Sequence, residues 1–143
     1  MQRSDLPAPD SGFVITHFLV VADQDRARDF YARVLDAHPV VERDPVILKV
    51  ANTWLILNAG GPPTEDKPGV TLEPPTRLDT VSAFMNIRVA DIAAFHERTV
   101  AAGAEWLTPP MDRGAEIRGY IRDPDGHLIE VGQATGMLEA ADG

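Results

Sequence analysis

Hydrophobic and polar positions along this chain fall into two successive passes of the same kind. From Gly12 the run FVITHFLVVA is rich in β-branched and aromatic residues and short enough for a strand buried on both faces. Asp23 follows as an N-cap, and Ala27, Phe30, Tyr31, Val34 and Leu35 recur at helical spacing, which predicts an amphipathic helix over 24–36. After His38 and Pro39 come three short β-type runs, PVVER, PVILKVA and TWLILN, divided by turn-like Asp44-Pro45 and Asn52-Thr53. The stretch AGGPPTEDKPGVTLEPP is too rich in proline and glycine for an element interior and reads as part of a linker over 59–80, or as a loop crossing one end of the molecule.

The pattern then restarts. SAFMNIRVA reads as a strand, Asp91 as a second N-cap, and Ile92, Phe95, Thr99 and Val100 as a helical stripe closed by Gly103. AEWLT, AEIRGYIRD and, after the turn Asp123-Pro124-Asp125-Gly126, HLIEVGQ supply three further strands. Val21-Ala22-Asp23 aligns with Val89-Ala90-Asp91, and WLILN with HLIEV, so the halves look like copies. The expected fold is α+β, with two βαβββ modules over 12–58 and 81–133. A disordered N-terminus over 1–11 and a tail over 134–143 flank them. Ferredoxin-like open sheets are the competing pattern.

Composition narrows the chemistry. The absence of cysteine excludes disulfide frameworks, thiolate metal sites and cysteine nucleophiles. A net charge of −9, from 13 basic and 22 acidic residues, would repel a phosphate backbone, so nucleic acid is not an expected partner. The same acidity suits a cationic ligand if carboxylates converge. No apolar run approaches the roughly 18 residues of a membrane span, and neither an apolar secretory core nor a phosphate-cradling, dinucleotide or GxSxG motif is found. The expectation is a cytoplasmic protein without a membrane partner.

The segments THFLVVADQDRARDFYARVLDA, GAEWLTPP and GYIRDPDGHLIEV carry a family resemblance. They pair a strand ending in aspartate with a helix containing FY and ending in VL, and place a DPDG hairpin before a glutamate-bearing strand. In that order they resemble the vicinal oxygen chelate superfamily, the group of glyoxalases, bleomycin-resistance proteins and ring-cleaving dioxygenases. The resemblance implies curved mixed sheets around a cleft with helices outside, completed by homodimerisation. In metal-using members, side chains on the first and last strands hold a divalent ion with open positions for substrate oxygens.

Glu130 stands where the family carries its carboxylate ligand, and a carboxylate within LIEV is costly unless it faces a cleft or a partner. The matching place in the first module falls on Leu57, or on Asn58 after a one-residue slip. His17 is the other metal candidate, but it lies six residues before Asp23, whereas the family histidine more often lies seven before it. By that spacing Thr16 faces the cleft and His17 sits under the helix unless a bulge intervenes. The opening strand of the second module offers Phe84, Met85, Asn86 and Ile87, none of which is a histidine or carboxylate. His38, His96 and His127 do not complete a triad of two histidines and a carboxylate. Alternation places Thr16, Phe18, Phe84, Asn86 and Arg88 toward the ligand, with Trp54 and Tyr120 as further lining residues.

With the metal set incomplete and the fold pattern intact, the expected function is metal-independent binding of a small drug or metabolite, with no cofactor. An alternative is a lyase, isomerase or dioxygenase in which Glu130 is the catalytic residue, as a base or together with His17 as ligand to Zn, Ni, Mn or Fe. A third possibility is a protein-interaction domain with a vestigial cleft. Ligand and substrate identity are not legible at this level.

Overall fold

A computed structural model describes residues 5–136 and divides the chain into two compact units, Met1–Thr76 and Arg77–Gly143. The boundary falls inside the stretch expected to be a linker. Residues 1–4 and most of the expected tail, 137–143, lie outside the described residues. Asp5, within the segment expected to be disordered, accepts a hydrogen bond at its carbonyl from Trp54 Nε1 at 2.7 Å.

The first unit runs β1 (His17–Val20), α1 (Gln24–Leu35), β2 (His38–Val41), β3 (Val46–Val50) and β4 (Thr53–Asn58). Its four-stranded sheet has the order β1-β4-β3-β2, with β1 parallel to β4 and the other pairs antiparallel. The first strand is shorter than expected. Phe13 and Ile15 lie outside it and are exposed, and Phe18 alternates outward against buried Leu19, so the segment is not buried on both faces.

Helix α1 starts where Asp23 accepts a hydrogen bond from the amide of Arg26 at 3.1 Å. It ends at Asp36, whose left-handed φ of 55° stops the helical turn and whose amide bonds back to the carbonyl of Tyr31. Ala27, Phe30, Tyr31 and Val34 form its buried stripe and pack over β2, β3 and β4. Beneath them lie Leu48, Leu55 and Leu57, all fully buried, each worth about 1.5–3 kcal/mol relative to exposure.

The second unit repeats this plan with β5 (Met85–Arg88), α2 (Ile92–Ala101), β6 (Glu105–Trp106), β7 (Met111–Asp112), β8 (Glu116–Arg122) and β9 (Leu128–Ala134). Its order is β5-β9-β8-β6, the same as in the first unit, with β7 as an added strand paired to β8. The first unit is thus a βαβββ module and the second the same plan with one strand added, and the α+β class with mixed sheets holds in both. The sheet has five strands where four were expected, because the segment after Trp106 returns to pair with β8 at Met111 and Asp112.

Asp91 caps α2 through the amide of Ala94 at 3.1 Å. The buried stripe consists of Ile92 and Thr99, whereas Val100, expected in it, is 48% exposed. Thr99 meets its hydrogen-bonding needs inside the core: its hydroxyl donates to the carbonyl of Phe95 at 2.8 Å and accepts from Trp106 Nε1 at 3.0 Å. Trp106 lies directly on Gly119, where a Cβ would stand 2.7 Å from the indole ring. Ile121, Ile129 and Val131 complete the helix-side face of this sheet. Among the described residues no helix is long and apolar enough to cross a membrane.

Candidate functional site

Strand pairing in the second unit decides which side chains share the face turned away from α2. Asn86 is paired with Glu130, and Glu130 with Tyr120, so these three form one row across β5, β9 and β8. In the next row Arg88, Gly132 and Arg118 are paired in turn, and Glu116 lies two residues from Arg118 on the same side of β8. Met85, Ile129 and Ile121 occupy the opposite, helix-side face.

Within the first row Glu130 is the centre of a hydrogen-bond network. Asn86 Nδ2 donates to its Oε1 at 2.8 Å, and the Tyr120 hydroxyl donates to its Oε2 at 2.9 Å. Arg88 Nη1 stands 3.9 Å from Oε1. Burial and then the hydrogen bond to the Glu130 carboxylate raise the Tyr120 phenol above its ordinary value of 10.0, so it remains a donor at neutral pH. The phenol ring also meets Phe84 edge-on, with centroids 6.3 Å apart, and Phe84 is itself 41% exposed.

The second row is charged. Arg88 Nη2 meets Glu116 Oε2 at 2.7 Å, and Arg118 Nη1 meets Glu116 Oε1 at 3.3 Å, so one carboxylate holds two guanidinium groups. Burial works to raise the Glu116 carboxyl, but the hydrogen bonds from Arg88 and Arg118 outweigh it and hold the group below its ordinary value of 4.5. Gly132 makes this arrangement possible, since a Cβ there would lie 2.2 Å from Arg88 Nη1. The absence of a side chain gives the guanidinium its seat on the sheet.

The residues expected to line a ligand site divide between the units. Asn86, Arg88, Glu130, Tyr120 and Phe84 come together in the second. In the first, Phe18 is paired with Ile56, and Trp54, two residues earlier on β4, shares their face. Lys49 Nζ lies 5.3 Å from the centre of the Trp54 ring, and Thr16 is half-buried just before β1. His17 is paired with buried Leu55 and therefore belongs to the helix side of its sheet, as does Met85 in the second unit. The register also corrects the position expected to match Glu130. Phe18 in β1 corresponds to Asn86 in β5, and its partner on the last strand is Ile56, not Leu57 or Asn58.

Glu116 and Arg118 were not singled out in the sequence, although the signal is there. EIRGYIR alternates strictly, with Glu116, Arg118, Tyr120 and Arg122 on one face and Ile117, Gly119 and Ile121 on the other.

The divalent ion implied by the resemblance can be tested against these residues. Glu130 is retained, but both its oxygens are engaged by neutral donors and a guanidinium stands close by, an electrostatic setting that opposes a second cation. Thr16 and Phe84 occupy the places set by the seven-residue spacing, and phenylalanine has no donor atom. Among the described residues no group of three or more His, Cys, Asp or Glu side chains is placed to hold a metal. Within the second unit, Glu130 with Phe84 and Asn86 beside it does not make a divalent-ion donor set.

Residues 14–131 match the Glyoxalase/Bleomycin resistance protein/Dioxygenase superfamily, and the chain belongs to that family. The metallothiol transferase FosB of Shouchella clausii is 34% identical over 119 residues, covering 80% of this chain and 75% of that protein. Among solved structures, TioX from Micromonospora sp. ML1 matches with a TM-score of 0.68 at 22% identity, covering 87% of this chain and all of that one. TnmS3, an antibiotic-binding protein from Streptomyces sp. CB03234, matches with a TM-score of 0.64 at 19% identity, over 90% of this chain and all of that one. At such identities the two structures speak for the fold alone.

Proposed function

We propose that this chain binds a small organic molecule without a resident metal ion, and that its ligand platform is the open face of the second sheet around Glu130. The observation that carries the reading is the engagement of both Glu130 oxygens by Asn86 and Tyr120. A carboxylate with both oxygens hydrogen-bonded and oriented in this way suits a polar anchor in a binding face better than a metal donor. Exposed Phe84, edge-on to Tyr120, adds an apolar surface on which a ring can rest. That TnmS3, of the same fold, is an antibiotic-binding protein is in keeping with this role.

A second reading comes from the FosB relative, which is a metallothiol transferase. In it Glu130 would leave its hydrogen-bonded partners and join donors supplied from elsewhere to hold a divalent ion. The pairing of two chains implied by the family resemblance is part of either reading and is measurable by sedimentation.

The two readings separate in one experiment. Nitrogen-15 spectra of the protein are recorded in buffer containing EDTA while aromatic antibiotics and metabolites are added. Saturable shifts at Asn86, Tyr120 and Glu130, lost in Glu130→Ala, are expected. Binding that occurs only after Zn, Ni, Mn or Fe(II) is supplied would overturn the proposal in favour of the transferase-like reading.

A further inference from the structure

The charged row carries more information than the presence of a ligand. Glu116 and Glu130 are the shielded members, with side chains 14% and 12% exposed, whereas Arg88 and Arg118 are 43% and 37% exposed. Of the charged side chains in these two rows the arginines are therefore the more exposed, although the chain as a whole carries a net charge of −9. Arg88, Glu116 and Arg118 form a triad of two cations on one anion. The fourth charge, Glu130, is 3.9 Å from Arg88 and already accepts from Asn86 and Tyr120.

Arg122, the remaining cation on this face of β8, has its donors taken up locally: it donates to the carbonyls of Leu78 and Gly126, and Glu105 stands opposite it in the strand register. The excess of exposed donors is thus local to Arg88 and Arg118. Glu116 tethers both heads to one carboxylate, which fixes them side by side before any ligand arrives, and pre-organised guanidinium groups favour a planar or tetrahedral oxyanion. Phe84 and the ring of Tyr120 lie along the same face toward the other end of the strands.

Resting on the reading of this face as a ligand platform, we infer that the ligand is an aromatic or other flat apolar molecule bearing an acidic group. Its carboxylate, sulfonate or phosphate is held between Arg88 and Arg118, and its ring lies against Phe84 and Tyr120. This reverses the expectation of a cationic ligand drawn from net charge. The overall acidity is spread over the chain, whereas near Arg88 and Arg118 the carboxylates are engaged: Glu116 is held by both arginines and Glu130 accepts from Asn86 and Tyr120.

The test uses three naphthalene probes of nearly equal size: 2-naphthoate, its neutral amide 2-naphthamide, and the cation 2-naphthylmethylamine. Each is titrated into the full-length protein, with amide shifts followed in the second unit. The naphthoate is expected to bind about tenfold more tightly than the amide, with the amine weakest. That preference should shrink in Arg118→Met and in Arg88→Met, and also in unmodified protein as salt is raised, which needs no variant to fold. Equal binding of the three probes at this face, or a naphthoate preference indifferent to salt and to both variants, would overturn the inference while leaving the platform standing. Shifts confined to other surfaces with all three probes would overturn both.

Discussion

The two sheets share one topology yet differ in the row that matters most. Across β1, β4 and β3 the row is Phe18, Ile56 and Ile47, whereas across β5, β9 and β8 the corresponding row is Asn86, Glu130 and Tyr120. The helix-side faces are alike, with Leu55 and Leu48 standing where Ile129 and Ile121 stand in the other unit. The two modules thus share a core pattern and differ in this row of the opposite face, apolar in one and polar in the other. Packing under the helices sustains each fold, which leaves the other face open to chemistry.

The largest expected effect comes from forcing the units to match where their cores differ. Gly119 corresponds to Val46, but Gly119 lies beneath Trp106. Gly119→Val should cost about 1–3 kcal/mol in chemical denaturation, because the indole must move and its bond to Thr99 is lost. A variant as stable as the parent would show that Trp106 does not depend on that glycine.

Next in size is the conversion of one row into the other. Glu130→Ile alone leaves the Tyr120 hydroxyl and Asn86 amide without their acceptor and Arg88 with one carboxylate fewer, a loss of about 1–2 kcal/mol. Replacing the whole row, Asn86→Phe with Glu130→Ile and Tyr120→Ile, removes donors and acceptor together. It should therefore cost less than the single change while abolishing ligand binding. A triple variant that still binds would place the ligand elsewhere.

This contrast also shows what could be read from the sequence. The repeat was legible because its signals are local: aspartate caps, helical stripes and alternating strands recur in the same order. Glu130, Asn86, Arg88 and Tyr120 were legible as candidates through alternation and the position of the glutamate. Their mutual contacts were not, since which residues stand opposite depends on strand register, and a one-residue slip had matched Glu130 to Leu57 in place of Ile56. Glu116 and Arg118 were passed over although their alternation is plain, because their significance arises only when Arg88 reaches across Gly132. The brevity of β1 and the extra strand β7 depend on pairing partners, which local propensity does not specify.

A smaller effect separates the units by pH. Glu116 titrates below its ordinary value in the folded protein, so its contribution is fully present above the unfolded-state value. That contribution is lost as pH falls through the lower folded value. Glu116→Gln should flatten the stability profile in that acid range and leave it unchanged at neutral pH apart from a constant offset. An unaltered acid limb would show that the two arginines do not hold this carboxylate.

The smallest effect is spectroscopic. Ultraviolet titration should show Tyr120 ionising above its ordinary value of 10.0, and Glu130→Gln should bring it down, because the carboxylate charge contributes to the rise. Comparison with Tyr120→Phe identifies the signal, since Tyr31 is the only other tyrosine. A phenol indifferent to Glu130→Gln would contradict the bond between them.

Whether Glu130 is a polar anchor or a metal ligand is decided by the metal content of the purified protein, followed by titration of Zn, Ni, Mn and Fe(II) into the parent and Glu130→Ala. A polar anchor gives no stoichiometric metal and no uptake that depends on Glu130. About one tightly held ion per chain, lost in Glu130→Ala, marks a metal centre and overturns the proposed binding face.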